Sequence, residues 1–316
     1  MKPPACKSAG RPRRWRGWWI CVIVACIAGP SAHAATTVVD DMGRRVSLDK
    51  PARRIVSLAP SATEMLFAAG AGKRVVGTAR FTDFPPRARL LPRIGDASRI
   101  DMERVLALKP DLVVAWHSSL PAPTLKRLSG LGLAVYVTEP RSLKAIAVDI
   151  GRLGRLAGTA DAAGPAAARF TARLQGLRRR YAHRASLRVF YQTWDQPVMT
   201  VNGSHFISHL LRLCGGRNVF ADLAPLSAAV SAEAVVAADP QVIVAGARDG
   251  NRRDVFARWR RWSAVQAVRL GNLFTLPPDL ISRPGPRILQ GADRLCRDLQ
   301  AARRRVHAAA SRPPPQ

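Results

Sequence analysis

The amino-acid sequence predicts an α/β protein with two Rossmann-like lobes, each built on a central, mainly parallel sheet and joined to the other by one long rigid helix. Three observations lead to this prediction. Short apolar runs alternate with helix-forming segments on both sides of the chain centre, which is typical of parallel sheets. Between them, the segment 142–183 has helical composition and no strand signal. In addition, one helix-to-strand pattern occurs twice, in segments 101–116 and 231–246.

The first lobe is predicted to span residues 35–140. Its periodicity predicts, in chain order, a strand at 54–59, a helix at 64–69, a strand at 75–79, a helix at 101–108, a strand at 111–115, a helix at 123–131 and a strand at 133–137. The first helix is expected to begin with hydroxyl caps at Ser61 and Thr63 and to carry Glu64 as an acid in its first turn. Gly70 is expected to end it.

The second lobe is predicted to span residues 186–304 and to repeat this alternation. Its elements are a strand at 187–192, helices at 204–213 and 232–237, a strand at 242–245, a helix around 254–262, a strand at 272–276 and a final helix at 286–304. Between the lobes, residues 141–185 predict one long bridging helix with an irregular lead, because Pro165 and several glycines interrupt the pattern. The tail, residues 305–316, ends in three prolines and a glutamine and is predicted to be disordered.

The repeated unit aligns DMERVLALKPDLVVAW with SAEAVVAADPQVIVAG at an offset of 130 residues, the difference between positions 103 and 233. In this register the apolar positions of helix and strand coincide, and Pro110 meets Pro240. Each copy carries one early glutamate, Glu103 or Glu233. We therefore expect both lobes to contain the same helix-to-strand unit.

Residues 1–34 have the features of a secretory signal peptide. A basic stretch precedes the apolar core WWICVIVACIA, which is too short to span a bilayer. A small-x-small site at the end of this segment predicts cleavage after Ala34. The alternative is the segment IVAC, which looks like a lipoprotein cleavage box and would leave a lipid on Cys26. Both alternatives place the mature chain outside the cytoplasm.

The cysteine positions agree with an oxidising compartment. Three of the five cysteines lie in the leader, and only Cys214 and Cys296 remain in the mature chain. An even pair in such a compartment favours one structural disulfide. The alternative, a nucleophile or a metal pair, lacks supporting His or Cys spacing.

The chain is strongly basic, with 50 Lys and Arg against 21 Asp and Glu and a formal net charge of +29. Such a surplus can indicate a nucleic-acid partner or an anionic membrane surface. Here the arginines are scattered through helices and loops without interleaved aromatic residues. An arginine-rich solvated surface is therefore favoured over a nucleic-acid-binding site.

Motifs of the common enzyme classes do not occur in the sequence, which has no G-x-G-x-x-G after a strand, no P-loop, no G-x-S-x-G elbow and no H-E-x-x-H. No enzymatic activity is therefore expected. His205 and His209 lie four residues apart on one helical face and could ligate a metal together with His117. Because no carboxylate or thiol accompanies them, we interpret them as ordinary helix residues facing solvent or core, and we predict no metal site.

Large or charged side chains follow several predicted strands, namely Phe81, Phe84, Trp116, Trp194 and Asp279. In open parallel sheets, ligands bind at the carboxyl ends of the strands. Asp279 and Arg283, four residues apart, are expected either to pair with each other or to present a charged fork to a ligand. The set predicts a large, mainly apolar cleft between the lobes.

Five segments of the chain together resemble the periplasmic cobalamin-binding proteins, namely RIVSLAPSATEMLFAAG, TDFPP, ERVLALKPDLVVAW, LRLCGGRNVF and PPDLISRPGPRIL. The resemblance extends from about Arg53 to Gln300. It implies a monomeric periplasmic carrier, without a cofactor, that captures cobalamin between its lobes and delivers it to the permease of an ABC importer. The wider class also carries other ligands, so an iron-siderophore or haem carrier is the alternative, and a zinc- or manganese-binding protein is less favoured.

The resemblance also implies which residues contact the ligand. Phe81 takes the place of an aromatic residue, usually tyrosine, that packs against the corrin, and Trp116 matches a tryptophan in place and type. Asp279 and Arg283 of the last-strand loop match residues that contact the amide periphery of the ligand. With the strand-end tryptophan and the rest of the loop, the predicted set is Phe81, Trp116, Trp194, Asp279, Leu280, Ile281, Ser282 and Arg283.

Two positions depart from the family pattern. Ala97 and Ser227 stand where ligand-facing tryptophans are expected. A cleft with fewer tryptophans suits cobalamin with a changed packing face, or another large tetrapyrrole-like or siderophore ligand. The cysteines do not depart, because Cys214 and Cys296 match a family disulfide.

The two early glutamates also have a role in this family. Each lobe presents one surface glutamate to an arginine-lined pocket of the permease, and Glu103 and Glu233 hold those positions. Carboxylate–guanidinium pairs fix orientation as well as adding affinity. The alternative is favourable contact with the helix macrodipole. It explains either glutamate alone, but less well why both lobes keep one in so basic a chain.

Overall fold

The computed structural model describes residues 35–96, 99–181, 183–247 and 254–311, and it contains two four-stranded parallel sheets. The predicted signal peptide, the alternative lipid site at Cys26 and the departure at Ala97 lie outside the described residues. The strands are β1 Thr36–Val39, β2 Arg45–Leu48, β3 Ile55–Ser57, β4 Val75–Thr78, β5 Leu112–Trp116, β6 Val135–Thr138, β7 Leu187–Gln192, β8 Met199–Val201, β9 Gly216–Asn218, β10 Ser227–Ala229, β11 Val242–Gly246 and β12 Leu273–Leu276. The helices are α1 Pro60–Ala68, α2 Met102–Ala107, α3 Ala122–Gly130, α4 Leu143–Leu156, α5 Ala160–Tyr181, α6 Phe206–Leu213, α7 Ala232–Ala237, α8 Ala257–Arg260, α9 Gln266–Arg269, α10 Pro278–Ile281 and α11 Ile288–Ala310.

The two sheets arrange their strands in the same order. The first sheet runs β4-β3-β5-β6 and the second β9-β7-β11-β12, and every neighbouring pair is parallel. The predicted fold class is therefore confirmed. The sequence patterns do not predict the two antiparallel pairs, β1–β2 and β8–β10, because strands of three or four residues carry little periodic signal.

The repeated helix-to-strand unit is confirmed. Helices α2 and α7, and strands β5 and β11, begin and end at positions that differ by 130 residues. In both copies the turn between helix and strand contains a residue with positive φ, Lys109 at 45° and Asp239 at 40°. Few residues other than glycine adopt this conformation, and each here precedes a proline, which disfavours the ordinary helical region. The two units therefore share an unusual backbone turn as well as a pattern.

The prediction of one long helix over 141–185 is wrong. The segment contains two helices, α4 and α5, because Gly158 adopts a positive φ of 58° and ends the first. Thr159 then donates its hydroxyl to the carbonyl of Ala69, at 2.6 Å, and ties the junction to the first lobe. Pro165 lies inside α5 without ending it. The bridge is thus the 22-residue helix α5.

One apolar core runs from the first lobe to the second. It includes Leu112 and Val114 of the first sheet and Val189 of the second, and α5 adds Phe170 and Leu174 between them. Each sheet has a further core on its opposite face, so alternate residues along the buried strands point into different cores. Relative movement of the lobes would expose apolar surface of the shared core, which opposes hinge motion.

Helix α11 is the last element of the described chain and is joined to the end of α6 by a disulfide. Cys214, at the end of α6, forms a disulfide with Cys296 of α11, which confirms the predicted bond. The prediction of disorder from residue 305 is wrong, because α11 continues to Ala310 through residues of high helix propensity. Residues 312–316 lie outside the described part of the chain. Within the described ranges, no helix is long and apolar enough to cross a membrane.

Candidate ligand-binding site

A cavity of about 830 Å³ lies between the two lobes. Its first-lobe wall is formed by Trp116, His117, Ser118, Glu139, Pro140 and Arg141. Its second-lobe wall is formed by Asn202, Ser204, His205, Phe206, Ala224, Leu226 and Ser227. The volume is near the upper end of the range usual for small-molecule sites, so the cavity suits a large ligand.

The first-lobe wall is built at the carboxyl ends of two neighbouring strands. Trp116 is the last residue of β5 and is half-buried against the shared core. Glu139 follows β6 directly, and its carboxylate accepts hydrogen bonds from the Ser118 backbone N–H at 2.9 Å and the Ser118 hydroxyl at 2.8 Å. These bonds hold the short 3-10 helix His117–Ser119 in place and so orient the residues beside the indole.

The second-lobe wall is built around the start of α6. His205 is the N-cap of this helix, and its Nδ1 accepts a hydrogen bond from the Ile207 backbone N–H at 3.2 Å. The neutral ring therefore carries its proton on Nε2. Burial, together with the nearby charge of His209, lowers the pKa of His205 to about 4. His205 is thus a neutral hydrogen-bond donor at physiological pH.

His205 and His209 were expected to be ordinary helix residues facing solvent or core. For His205 this expectation is wrong, because its side chain caps the helix. In the part of the chain that the structure describes, no three His, Cys, Asp or Glu side chains are placed to hold a metal ion.

A buried ion pair joins the lobes beside the cleft. Arg287, at the start of α11, donates from Nη2 to Glu64 Oε1 at 2.7 Å and from Nε to Oε2 at 3.1 Å. Only 2% of the Glu64 side chain is exposed. Burial raises the pKa of Glu64, and the hydrogen bonds and charge of Arg287 act against that rise. A two-pronged pair of this kind fixes both position and orientation.

Helix α1 does not begin with the hydroxyl cap at Ser61 that the sequence predicts. Pro60 begins the helix, Ala59 is the N-cap without a side-chain bond, and Ser61 Oγ is buried with no partner among the described residues. Ser61 is therefore not a cap, because the helix starts earlier than expected. For the same reason Glu64 lies beyond the first turn, where the sequence predicted it, and its side chain is buried in the interlobe contact.

Asp279 and Arg283 do not pair with each other. Asp279 accepts from Arg287 Nη1 at 3.1 Å, and Arg283 Nη1 lies 2.5 Å from Asp83 Oδ1 of the first lobe. Burial opposes ionisation of Asp83, but the hydrogen bond and charge of Arg283 outweigh it and hold the pKa of this carboxyl below its ordinary value. Both residues of the predicted fork thus take part in the network between the lobes.

The predicted ligand residues are placed at several positions. Trp116 lies in the main cavity, whereas Trp194 is 64% exposed and lines a separate pocket of about 340 Å³. Phe81 is 63% exposed, and its carbonyl accepts from Arg283 Nη2 at 3.2 Å. Leu280 is half-buried and Ser282 is exposed.

The prediction that Ile281 contacts the ligand is wrong. The Ile281 side chain is fully buried in the shared core, so it cannot contact a ligand in the cleft. The four-residue helix α10 turns this side chain away from the cleft, and the sequence pattern does not indicate that helix.

Sequence reasoning missed several cavity residues. Glu139 and Arg141 follow β6. The expectation that ligands bind at the carboxyl ends of parallel strands, which indicated Trp116, therefore applies to them as well. Asn202 follows β8, and the sequence does not predict this strand. No sequence pattern therefore indicates Asn202 as a strand-end residue. Its side chain donates to Leu223 O at 3.1 Å and accepts from the Ser204 backbone N–H at 2.9 Å, which shapes this wall.

Two α/β lobes with a shared core and a large cleft at their strand ends define a bilobed substrate-binding protein. The chain belongs to the periplasmic binding protein family, whose model matches residues 55–280. Its relatives are binding proteins and not enzymes, and family membership implies a periplasmic location.

Several relatives and solved structures are similar to this chain. It is 36% identical over 255 residues to a vitamin B12-binding protein of Vibrio cholerae, covering 80% of this chain and 91% of that protein. It is 35% identical to a vitamin B12-binding protein of Yersinia pestis, covering 78% and 86%. The crystal structure of the periplasmic vitamin B12 binding protein BtuF of Vibrio cholerae matches with a TM-score of 0.74 at 36% identity, covering 80% of this chain and 98% of that one. The periplasmic haem-binding protein RhuT of Roseiflexus sp. RS-1 matches with a TM-score of 0.70 at 26% identity, covering 79% and 98%.

Replacing Arg287 by methionine is expected to lower the free energy of unfolding by about 3–5 kcal/mol, because Glu64 then stays buried without its main partner. Urea unfolding of the two proteins measures the change. The matched control is Arg297→Met, which breaks an exposed pair with Asp293 and is expected to cost less than about 1 kcal/mol. Equal losses in both variants would contradict a special role for the buried pair.

The lowered pKa of His205 predicts a pH-dependent stability. The pKa of His205 is about 4 in the folded chain and has its ordinary value of 6.5 in the unfolded chain. At a pH between these two values, the unfolded chain binds a proton that the folded chain does not. The stability contribution is therefore complete above pH 6.5 and is lost as the pH falls towards 4. His205→Asn keeps an N-cap acceptor but cannot titrate, so its unfolding free energy should fall less steeply over this window.

Chemical unfolding at a series of pH values measures both slopes, with His183→Asn in the exposed turn after α5 as the control. If the His205→Asn and unsubstituted proteins had the same slope, the prediction would be wrong.

Proposed function

We propose that this protein binds cobalamin in the interlobe cavity and delivers it to the permease of an ABC importer. The observation that carries the proposal is the 36% identity to a vitamin B12-binding protein over 80% of this chain. The geometry supports it, because a cavity of about 830 Å³ with an indole on one wall suits a large, partly apolar ring. Cobalamin is the cargo, and no covalent chemistry is involved.

The proposed contacts divide between apolar and polar groups. Trp116 presents an aromatic face to the corrin ring, and Phe81 presents a second exposed ring on the same lobe. His205 donates from Nε2 to carbonyl oxygens of the ligand's amide groups. Arg283 and Asp279 act at the cleft edge, where Asp83 and Arg287 hold them in position.

Haem is the second candidate ligand. The observation that favours it is the pair of imidazoles on opposite walls, His117 and His205, since histidine is a common axial ligand of haem iron. The 26% identity to a haem-binding protein is in keeping with this alternative. The polar wall and the stronger similarity to vitamin B12-binding proteins favour cobalamin.

Calorimetric titration of the purified protein with cyanocobalamin should give one saturable site. Trp116→Ala should weaken binding by about 10- to 100-fold, because an aromatic face buried against the ligand is lost. Trp262→Ala, which alters a half-buried tryptophan packed on the outer core of the second lobe, is the control and should leave the affinity unchanged. Saturable binding of haemin with no heat from cyanocobalamin would reject the cobalamin proposal in favour of the haem carrier.

We also propose that Glu103 and Glu233 contact the permease. Both are exposed in the first turn of equivalent helices, α2 and α7. Glu233 accepts from its own backbone N–H and from Ser231, and these bonds hold its pKa below the ordinary value, so it is ionised at neutral pH. An exposed carboxylate on each lobe suits two arginine sites on one partner surface.

The double variant Glu103→Ala/Glu233→Ala should bind cyanocobalamin normally but fail to support uptake into vesicles that contain the permease, because both charge-assisted contacts are lost. Asp161→Ala removes an exposed first-turn acid of α5 and should leave uptake unchanged. Undiminished uptake by the double variant would show that these glutamates do not dock.

A further inference from the structure

Five arginines surround a surface pocket of about 880 Å³ in the first lobe, and Glu103 lies on its lining. We name this the arginine pocket, and its arginines are Arg80, Arg93, Arg99, Arg104 and Arg127. The carboxylates in its lining are Asp101 and Glu103, so the side chains of the lining have a net charge of three positive units. The pocket is separate from the interlobe cavity, and the two share no lining residue.

Two of these arginines are held in place by neutral groups. Arg93 donates from Nη1 to the hydroxyl of Thr78 at 2.8 Å and from Nη2 to the carbonyl of Arg89 at 3.1 Å. Arg104 donates from Nη1 to the carbonyl of Arg93 at 2.9 Å. Hydrogen bonds to neutral acceptors orient a guanidinium without cancelling its charge. Arg93 and Arg104 are therefore held in place by bonds that leave their positive charge intact.

The carboxylates near the pocket do not neutralise it. Asp101 is the N-cap of α2 and accepts from the Arg104 backbone N–H at 2.9 Å, so one of its oxygens is already engaged. Arg80 approaches Asp96 only to 3.8 Å, with 69% of the arginine side chain exposed. Pairs this exposed contribute little. Several guanidiniums are thus available to an anion from outside.

The arginine pocket belongs to a strongly basic surface. Six of the positive charges lie in residues 1–34, which contain no acidic residue, so the remaining chain keeps a surplus of +23 out of the total of +29. A basic surface of this size attracts anions over long range. The pocket is a place where this surface forms a concave site, which suits a compact group with several acceptor oxygens.

We propose that the arginine pocket binds the phosphate group of an anionic phospholipid. Guanidiniums match phosphate oxygens in geometry and charge, and anionic lipids attract basic groups at a membrane surface. The choice of a lipid over a free phosphate rests on the proposed function. If Glu103 contacts a permease, the pocket beside it faces the outer surface of the membrane in which that permease lies.

A lipid phosphate also resolves an electrostatic conflict. The proposed partner of Glu103 is an arginine site, and the five arginines beside Glu103 would repel it. A bound phosphate neutralises part of that charge. The pocket would therefore make docking dependent on anionic lipid, and it would concentrate the carrier at the membrane before it meets the permease.

Vesicle co-sedimentation tests the proposal, with protein purified from the periplasm and vesicles of phosphatidylcholine alone or with added phosphatidylglycerol. The protein should bind the vesicles that contain phosphatidylglycerol at physiological salt. Arg99→Gln/Arg127→Gln should weaken this binding by about tenfold, because each basic group near an anionic surface contributes to the attraction. Both residues are exposed, so the variant is expected to fold.

The matched control is Arg173→Gln/Arg179→Gln, which removes the same charge from exposed positions of α5. Equal weakening by the two pairs would assign the binding to overall charge and overturn the pocket. Saturable binding of inorganic phosphate without binding to the vesicles that contain phosphatidylglycerol would assign the pocket to a soluble anion. Cyanocobalamin binding is measured on the same proteins. If the unsubstituted protein binds cyanocobalamin but not the vesicles with phosphatidylglycerol, only the lipid site is rejected, and if it binds these vesicles but not cyanocobalamin, only the proposed function is rejected.

Discussion

The buried ion pair between Glu64 and Arg287 is the contact on which the geometry of the cleft depends. It links α1 of the first lobe to the start of α11 in the second. Arg287 also pairs with Asp279 and lies over the ring of Phe84, 4.2 Å from its centroid. A carboxylate with so little exposure cannot lose this partner without a large cost. The loop that carries Asp279 is therefore fixed relative to both lobes.

Three further features act in the same direction. The apolar core continues through α5 from one sheet to the other, and the disulfide of Cys214 with Cys296 fixes α11 to α6. Arg283 and Asp83 add a second ionic contact between the lobes. A protein held in this way keeps its cleft formed without a ligand, so little of the binding free energy is used in ordering the site. Such a carrier suits capture of a large, rigid molecule.

Sequence reasoning succeeded where the signal was local and failed where it depended on distant partners. Strand β7 and helix α7 have the predicted bounds, since an apolar run marks the strand and the repeated helix-to-strand unit marks the helix. Glu64 has the same local pattern as a first-turn acid, and its role depends on Arg287, 223 residues away. Trp116 was found because the end of a long buried strand is visible in sequence. Ile281 was misplaced because a four-residue helix leaves no periodic trace.

The repeated unit ends differently in its two copies, with Trp116 as the last residue of β5 and Gly246 as the last residue of β11. A Cβ added at Gly246 would lie 3.7 Å from the Tyr191 hydroxyl and 3.8 Å from Pro278, so these two groups are the nearest neighbours of this glycine. Two lobes of one design therefore form a cleft without mirror-like symmetry. A planar molecule between the lobes therefore meets different side chains on its two sides, Trp116 on one and Asn202 and His205 on the other.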